Sequence, residues 1–336
     1  MAYQNVSTPR FYINHPLWAL SNGVDEFTET PNTNISVNEI KKFVYLVPSI
    51  KTIGGNMPHA INYPDNGYGF NYFMFLGHNF VGDNQRLHLS YAGVDFNTSN
   101  PLPQYSFVIN APSSGAYGAM TYNGWSLMGY DDSPTLDIGF QINFTEHIPL
   151  NCGSIFWGRY YDMAHSPNLS LSVGCDYGKP KETITHNGSS ISNTMWTKSP
   201  MWGGKPPWEL YEGSMWESPR RSGRRTWDMK FSFLSSSSIF PEVSSINAFE
   251  SLSPEGLSYG SDLDPLGNTL LDDQTSFFSQ VWHKTLGGTL PFIFQPDKDN
   301  NNPDQFAICM FKNSSLKIVQ SAFQVYDISL SIEEVW

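Results

Sequence analysis

The stretch Leu136-Asp-Ile-Gly-Phe-Gln-Ile-Asn-Phe144 alternates apolar and small or polar residues without a break. Leu136, Ile138, Phe140, Ile142 and Phe144 fall on one side of an extended chain, because successive side chains of a strand point to opposite faces. A sustained period of two predicts a half-buried β-strand; an amphipathic helix would repeat its apolar residues every three to four positions.

The same period recurs on both sides of this stretch. Upstream lie Phe70–Phe80 (FNYFMFLGHNF), Arg86–Tyr91 (RLHLSY) and Tyr105–Ile109, with Trp125–Met128 as a weaker strand signal and Ile155–Trp157, just downstream, as another. Downstream, Leu169–Val173 and Trp227–Phe233 alternate, Leu290–Phe294 and Phe306–Phe311 are short apolar runs, and Phe323–Ile332 predicts a long closing strand. One helix is expected. Asp272-Asp273 would sit at its N-terminus, where carboxylates suit the helix dipole, with Phe277, Phe278, Val281 and Trp282 as its apolar face.

Composition agrees with a chain built from strands and turns. Of the 336 residues only 15% are charged, against ~25% in an ordinary soluble protein. Ser, Asn, Gly, Pro and aromatics fill the gap, and these types favour strands and turns. Nineteen basic and 31 acidic residues give a net charge of -12. Such an acidic balance disfavours nucleic acid and anionic membranes, which would repel it. The three cysteines, Cys152, Cys175 and Cys309, are too few for a disulfide framework and are expected as thiols of a reducing cytoplasm. The first ten residues lack the apolar segment of a secretory signal, and no apolar run reaches the ~20 residues of a membrane span. Triplets such as Asn97-Thr98-Ser99 and Asn187-Gly188-Ser189 are accordingly read as unglycosylated.

Nucleotide-binding signatures are missing from the sequence: it has no Gly-x-x-x-x-Gly-Lys loop and no Gly-x-Gly-x-x-Gly turn. Gly256-Leu-Ser-Tyr-Gly260 has the spacing of a Gly-x-Ser-x-Gly elbow, but it follows Pro254-Glu255 rather than the apolar strand such an elbow needs. None of the eight histidines forms a His-x-x-x-His pair, so no metal is expected. Asp297-Lys-Asp299-Asn-Asn301 imitates the start of a calcium loop, but Asn302 stands where the glycine belongs and Ile308 where the closing glutamate belongs. A polar hairpin loop between the runs at 290–294 and 306–311 fits better. The carboxylate clusters Asp131-Asp132, Asp262 and Asp264, and Glu333-Glu334 could in principle serve glycoside hydrolysis. Neighbours on one strand, however, face opposite ways and cannot flank one bond. The expectation is a protein without catalytic residues or cofactor.

The segment 179–223 differs from the rest. It is rich in Pro, Gly, Ser and Trp and has little periodicity. Trp196, Trp202, Trp208 and Trp216 lie within it, Trp227 follows, and Arg220, Arg221, Arg224 and Arg225 interrupt an acidic chain. Trp and Arg dominate interface hot spots, and exposed Trp clusters are otherwise an aggregation hazard. These nine residues are therefore the candidate interface, preferred over packing of the tryptophans across their own sheet. Pairing of some arginines with local carboxylates stays open.

Two stretches carry a family resemblance. Asn71-Tyr-Phe-Met-Phe-Leu-Gly-His-Asn79 followed by the strand at 86–91 resembles the Gly-His-Asn turn of jelly-roll, galactose-binding-like modules in phage virion proteins. Gly124–Met128, Leu136–Gly139 and Ile155–Gly158 are similar to the way such modules end, so this likeness covers about residues 40–160. Residues 190–336, with Ser222–Phe233, Thr289–Pro296 and the closing Ile332-Glu-Glu-Val-Trp336, resemble structural tail proteins of phages, marine ones especially, and distal tail proteins. In the best-known distal tail proteins the ring domain precedes the carbohydrate-module-like domain, whereas here the module comes first. The resemblance implies an all-β chain of two β-sandwich domains: a jelly roll over 1–165, and an assembly domain over 166–336 with one short helix and the long loop 179–223. It implies a virion tail component made in a bacterial cytoplasm, with other tail proteins and copies of itself in a homo-oligomeric ring as partners, and host glycan as a further contact. A free carbohydrate-binding protein or glycan hydrolase is the alternative.

Overall fold

A computed structural model describes residues 6–23, 28–29, 41, 44, 51–53, 59–63, 71–76, 85–91, 105–108, 125–129, 138–144, 150–152, 154–176, 181–193, 224–240, 276–301 and 305–335. Strands predominate among them. In the first half they are β1 (Arg10–Ile13), β2 (Thr28–Glu29), β3 (Lys51–Ile53), β4 (His59–Tyr63), β5 (Tyr72–Leu76), β6 (Gln85–Tyr91), β7 (Tyr105–Val108), β8 (Trp125–Gly129), β9 (Ile138–Phe144), β10 (Leu150–Cys152), β11 (Ser154–Gly158) and β12 (Tyr160–Asp162). In the second half they are β13 (Ser172–Asp176), β14 (Lys181–Ile184), β15 (Ser190–Asn193), β16 (Arg224–Ser235), β17 (Phe292–Gln295), β18 (Ala307–Phe311), β19 (Ile318–Ala322) and β20 (Val325–Glu334). Helices are short: α1 (His15–Ser21), α2 (Ser236–Ile239) and a π-helical segment, Phe278–His283.

The strands form antiparallel sheets. The stretch 136–144 supplies β9, which is central: β4 pairs on one side and β6 on the other, in a sheet ordered β2-β4-β9-β6-β7. The largest sheet runs β12-β1-β17-β18-β20-β16-β13, with β19 also on β20. A third sheet is β11-β5-β8.

Strand β1 decides how the large sheet is built. Too short for a clear periodic signal, it sits between β12 and β17, pairing Phe11 with Tyr161 and with Phe294. Its alternation serves two cores. Phe11 and Ile13 join Phe292, Phe294, Ala307, Cys309 and Phe311 in one core cluster, together with Trp227, Met229 and Phe231 of β16 and the π-helical residue Val281. Tyr12, Ile293 and Ile308 point the other way, against Tyr72, Met74, Leu76 and Phe156 of the third sheet. Strands buried on both faces read as continuous apolar runs, which is how Leu290–Phe294 and Phe306–Phe311 look. The expected division near residue 165 does not coincide with a break in this core: strands on both sides of it share a sheet and both clusters.

Local chemistry explains the connections. Asn14 caps α1 by accepting from the Leu17 N–H at 3.3 Å, and Pro16 occupies a first-turn position where a missing N–H does no harm. The expected helix after residue 272 is found as the π-helical segment. Phe277 and Val281 are buried in it, Phe278 and Trp282 are half-buried, and Asp272-Asp273 lie outside the described residues. The segment ends at His283, and the turn that follows passes through Gly287 and Gly288, both left-handed; a Cβ on Gly288 would lie 2.7 Å from Cβ of Phe311.

Two sequence expectations shift. The closing strand is Val325–Glu334, not 323–332, because Phe323 and Gln324 form a turn, with Gln324 at φ 57°. Around Leu169–Val173 the strand is Ser172–Asp176, and Leu169 lies outside it, fully exposed. Far-UV circular dichroism of the purified chain is expected to give a strand-type spectrum with helix content below roughly 15%, against a general base rate near a third. Deep minima of a helical protein would contradict this.

Candidate functional site

Of the nine interface candidates, Arg224, Arg225 and Trp227 are described; Trp196, Trp202, Trp208, Trp216, Arg220 and Arg221 lie outside the described residues. The three described ones open β16, and geometry gives two of them inward roles. Register places Thr226 opposite Glu333, which brings Arg225 beside Glu334. The Arg225 backbone N–H donates to Glu334 Oε2 at 2.9 Å, Nε donates to the same oxygen at 3.1 Å, and Nη2 donates to Oε1 at 3.0 Å. Nη2 also donates to the Phe306 carbonyl at 2.8 Å. The side chains are 14% and 3% exposed, so this is a buried, fork-shaped ion pair, the geometry in which Arg–carboxylate pairs are strongest. Arg225 is thus a clamp between β16 and the C-terminal strand rather than a surface cation.

Trp227 is fully buried. The Arg225 guanidinium lies 5.4 Å from its ring centroid, and Phe294 meets it edge-on at 5.2 Å. A ring so enclosed is a core residue, which corrects its placement among the binding candidates. Arg224 is half-buried and stands opposite Asp176 of β13 in the ladder.

The carboxylate clusters separate in the same way. Glu334 is held by Arg225, while Glu333 faces outward and pairs with Lys312 at 3.2 Å, so neighbouring residues point to opposite faces as strand geometry requires. Asp131, Asp132, Asp262 and Asp264 lie outside the described residues. Cys309, opposite Glu334 in the ladder, is buried; desolvation pushes its thiol well above the ordinary range, and the Glu334 charge adds to the effect. That holds the sulfur in its unreactive form.

The calcium-like loop after β17 has its own internal occupant. Gln295 Nε2 donates to the Asn300 carbonyl at 3.0 Å and to Asn301 Oδ1 at 3.2 Å, with the Lys298 carbonyl at 3.4 Å. Its Oε1 accepts from the Tyr12 hydroxyl at 2.8 Å. One would-be ligand oxygen, Asn301 Oδ1, thus faces an amide, and another, Asp297 Oδ1, accepts from the Asp299 N–H. Among the described residues no group of three His, Cys, Asp or Glu is placed to hold a metal ion.

A second polar cluster joins α1 to the π-helical segment. His15, Gln280 and Lys284 are buried. Lys284 Nζ donates to Gln280 Oε1 at 3.1 Å and stands 5.8 Å from the Trp18 ring, which also meets His283 at 5.8 Å. Burial holds the His15 pKa well below its ordinary value, and the nearby Lys284 charge pushes the same way. A neutral imidazole packed on Trp18 at 5.2 Å fixes the helix to the core.

The surface shows what the sequence reading did not. Phe233 is 81% exposed and Phe323 84%, with Leu169, Ile184, Ile191 and Val319 also outward. Strict alternation would send Phe233 inward after Trp227, Met229 and Phe231. A bulge between Phe231 and Leu234 inserts a residue, so Leu234 takes the inward seat. Phe233 is left outside at φ 64°.

Compared with known proteins, the chain matches no family model, no curated protein and no solved structure.

Removing one partner of a buried ion pair strands the other charge, which typically costs about 3–5 kcal/mol. Glu334→Gln is expected to lose stability on that scale in urea unfolding, while the paired change Arg225→Met with Glu334→Leu loses markedly less. Equal losses from the two would show that packing rather than charge holds this position.

Proposed function

We propose that the chain is a structural component of a phage virion tail, of the distal-tail or adaptor type, which works by assembling with copies of itself and with neighbouring tail proteins. The observation that carries the assembly reading is the set of large apolar side chains turned outward on strands and turns: Ile184 and Ile191 on the β14–β15 hairpin, and Phe233, Val319 and Phe323 around β19. Exposed apolar surface of this kind marks protein contacts. The tail assignment rests on the resemblance carried by Asn71–Asn79 and by residues 190–336. Antiparallel sheets throughout the described residues suit an all-β virion protein, and the galactose-binding-like jelly roll that the resemblance implies in the first half would offer a surface for host glycan.

The arginine-rich segment keeps its proposed contact role for Trp196, Trp202, Trp208, Trp216, Arg220, Arg221 and Arg224. Arg225 drops out, since reversing its charge would disrupt the core pair with Glu334. Basic side chains on an acidic protein suit head-to-tail contacts, which close into rings when the rotation permits.

Immunogold electron microscopy tests this reading. Antibody raised against the chain should label the tail of particles whose genome encodes it. Particles left unlabelled, together with a soluble chain that binds sugar or hydrolyses surface polysaccharide, would favour the alternative of a free carbohydrate-binding protein or hydrolase.

A further inference from the structure

Strand β19 pairs with β20 alone, so its outer edge has no strand partner among the described residues. Edges are ordinarily blunted by charge or proline. Here Ile318-Val-Gln-Ser-Ala-Phe-Gln324 contains neither. Beside this edge three apolar side chains face solvent. Val319 stands opposite Asp327 in the ladder, and on the other side of Asp327 the Phe233 N–H donates to its carboxylate at 3.3 Å. Phe323 crowns the turn.

Phe233 adds an independent observation. A bulky residue in the left-handed region is a genuine outlier, and such strain persists where function retains it. The bulge at Phe231–Leu234 would be relaxed by glycine, yet the chain keeps an aromatic ring there and turns it to solvent.

From this geometry we infer that the Phe233–Val319–Phe323 face and the adjoining β19 edge form a two-fold contact with the same face of a second copy of this chain. Charge and area both point to that occupant. Apposing two copies of the uncharged stretch 318–324 brings no like charges together, and the adjacent Asp327 is already neutralised by Lys230 at 3.2 Å. Two phenylalanines at ~150–250 Å² each, with Val319 beside them, supply roughly half of the ~800 Å² that each partner of a standard interface buries. A two-fold axis lets one patch serve both partners. A bulge between Gln320 and Ala322 shortens the stretch open to pairing, so contact between apolar side chains carries the association more than a long hydrogen-bond ladder.

The inference concerns self-association alone and does not require a place in a virion; immunolabelling tests that separately. Sedimentation equilibrium of the full chain is expected to show reversible dimer formation in the micromolar range. Val319→Lys and Phe323→Lys should each weaken it by about tenfold or more while leaving circular dichroism and melting temperature unchanged. Phe233→Gly should melt at or above the parent temperature and still dimerise more weakly, a combination that mere loss of folding cannot produce. A parent chain that stays monomeric overturns the inference, even if it captures a different tail protein through this face. So does a dimer that all three variants leave intact.

Discussion

Burial of β1 on both faces, between β12 and β17 of a sheet otherwise built from residues 160 onward, is the constraint on which the rest of the described structure depends. Phe11 contacts Phe292, Phe294, Phe311 and Phe277 with ring centroids 5.3–6.1 Å apart. Tyr12, one residue on, meets Tyr72 edge-on at 5.0 Å on the opposite face. A strand so enclosed needs partners for its backbone groups; β12 and β17 flank it as ladders, and the Ile13 carbonyl accepts from the Tyr72 hydroxyl. The Arg10–Asp162 ion pair closes one end of the β1–β12 ladder, with Arg10 stacked 3.8 Å from the Tyr160 ring centroid. Beyond that end, the N-terminal segment continues along the loop after β17 through hydrogen bonds from Ser7 N–H to the Pro296 carbonyl and from Lys298 N–H to the Thr8 carbonyl.

Polar groups inside this assembly are paired across long chain separations. Glu334 meets Arg225, and Gln295 connects Tyr12 to the loop carbonyls of residues 298–301. Such pairs add less net stability than the surrounding aromatics, because desolvation offsets much of their attraction. They are nevertheless sensitive positions, since losing either partner leaves a buried polar group exposed to an apolar interior. The chain therefore invests its few charges where register is set: Arg225–Glu334 at the β16–β20 ladder, and Lys230–Asp327 and Lys312–Glu333 on its outer face.

The strand pattern was legible wherever one face of a strand is wet. Trp227, Met229 and Phe231, and Ile328, Leu330 and Ile332, alternate as expected and are buried as expected. The reading failed where local geometry breaks the period. One inserted residue at the Phe231–Leu234 bulge exchanges the faces of Phe233 and Leu234, and composition alone does not announce a bulge that depends on Asp327 accepting from the Phe233 N–H. Strand β1 and helix α1 are too short to show periodicity; their structure comes from tertiary partners. The interface candidates illustrate the same limit. Nothing near Arg225 in sequence signals that its partner lies 109 positions away, or that Trp227 is covered by Phe294.

These features join residues from the two ends of the chain into a single cooperative unit, and native-state hydrogen exchange followed by mass spectrometry tests that most directly. Peptides covering 10–13, 292–295 and 307–311 should exchange together, at the free energy of global unfolding and with one denaturant dependence. Exchange of 10–13 at a distinctly lower free energy than the other two would show that β1 is a peripheral addition, and would contradict the account.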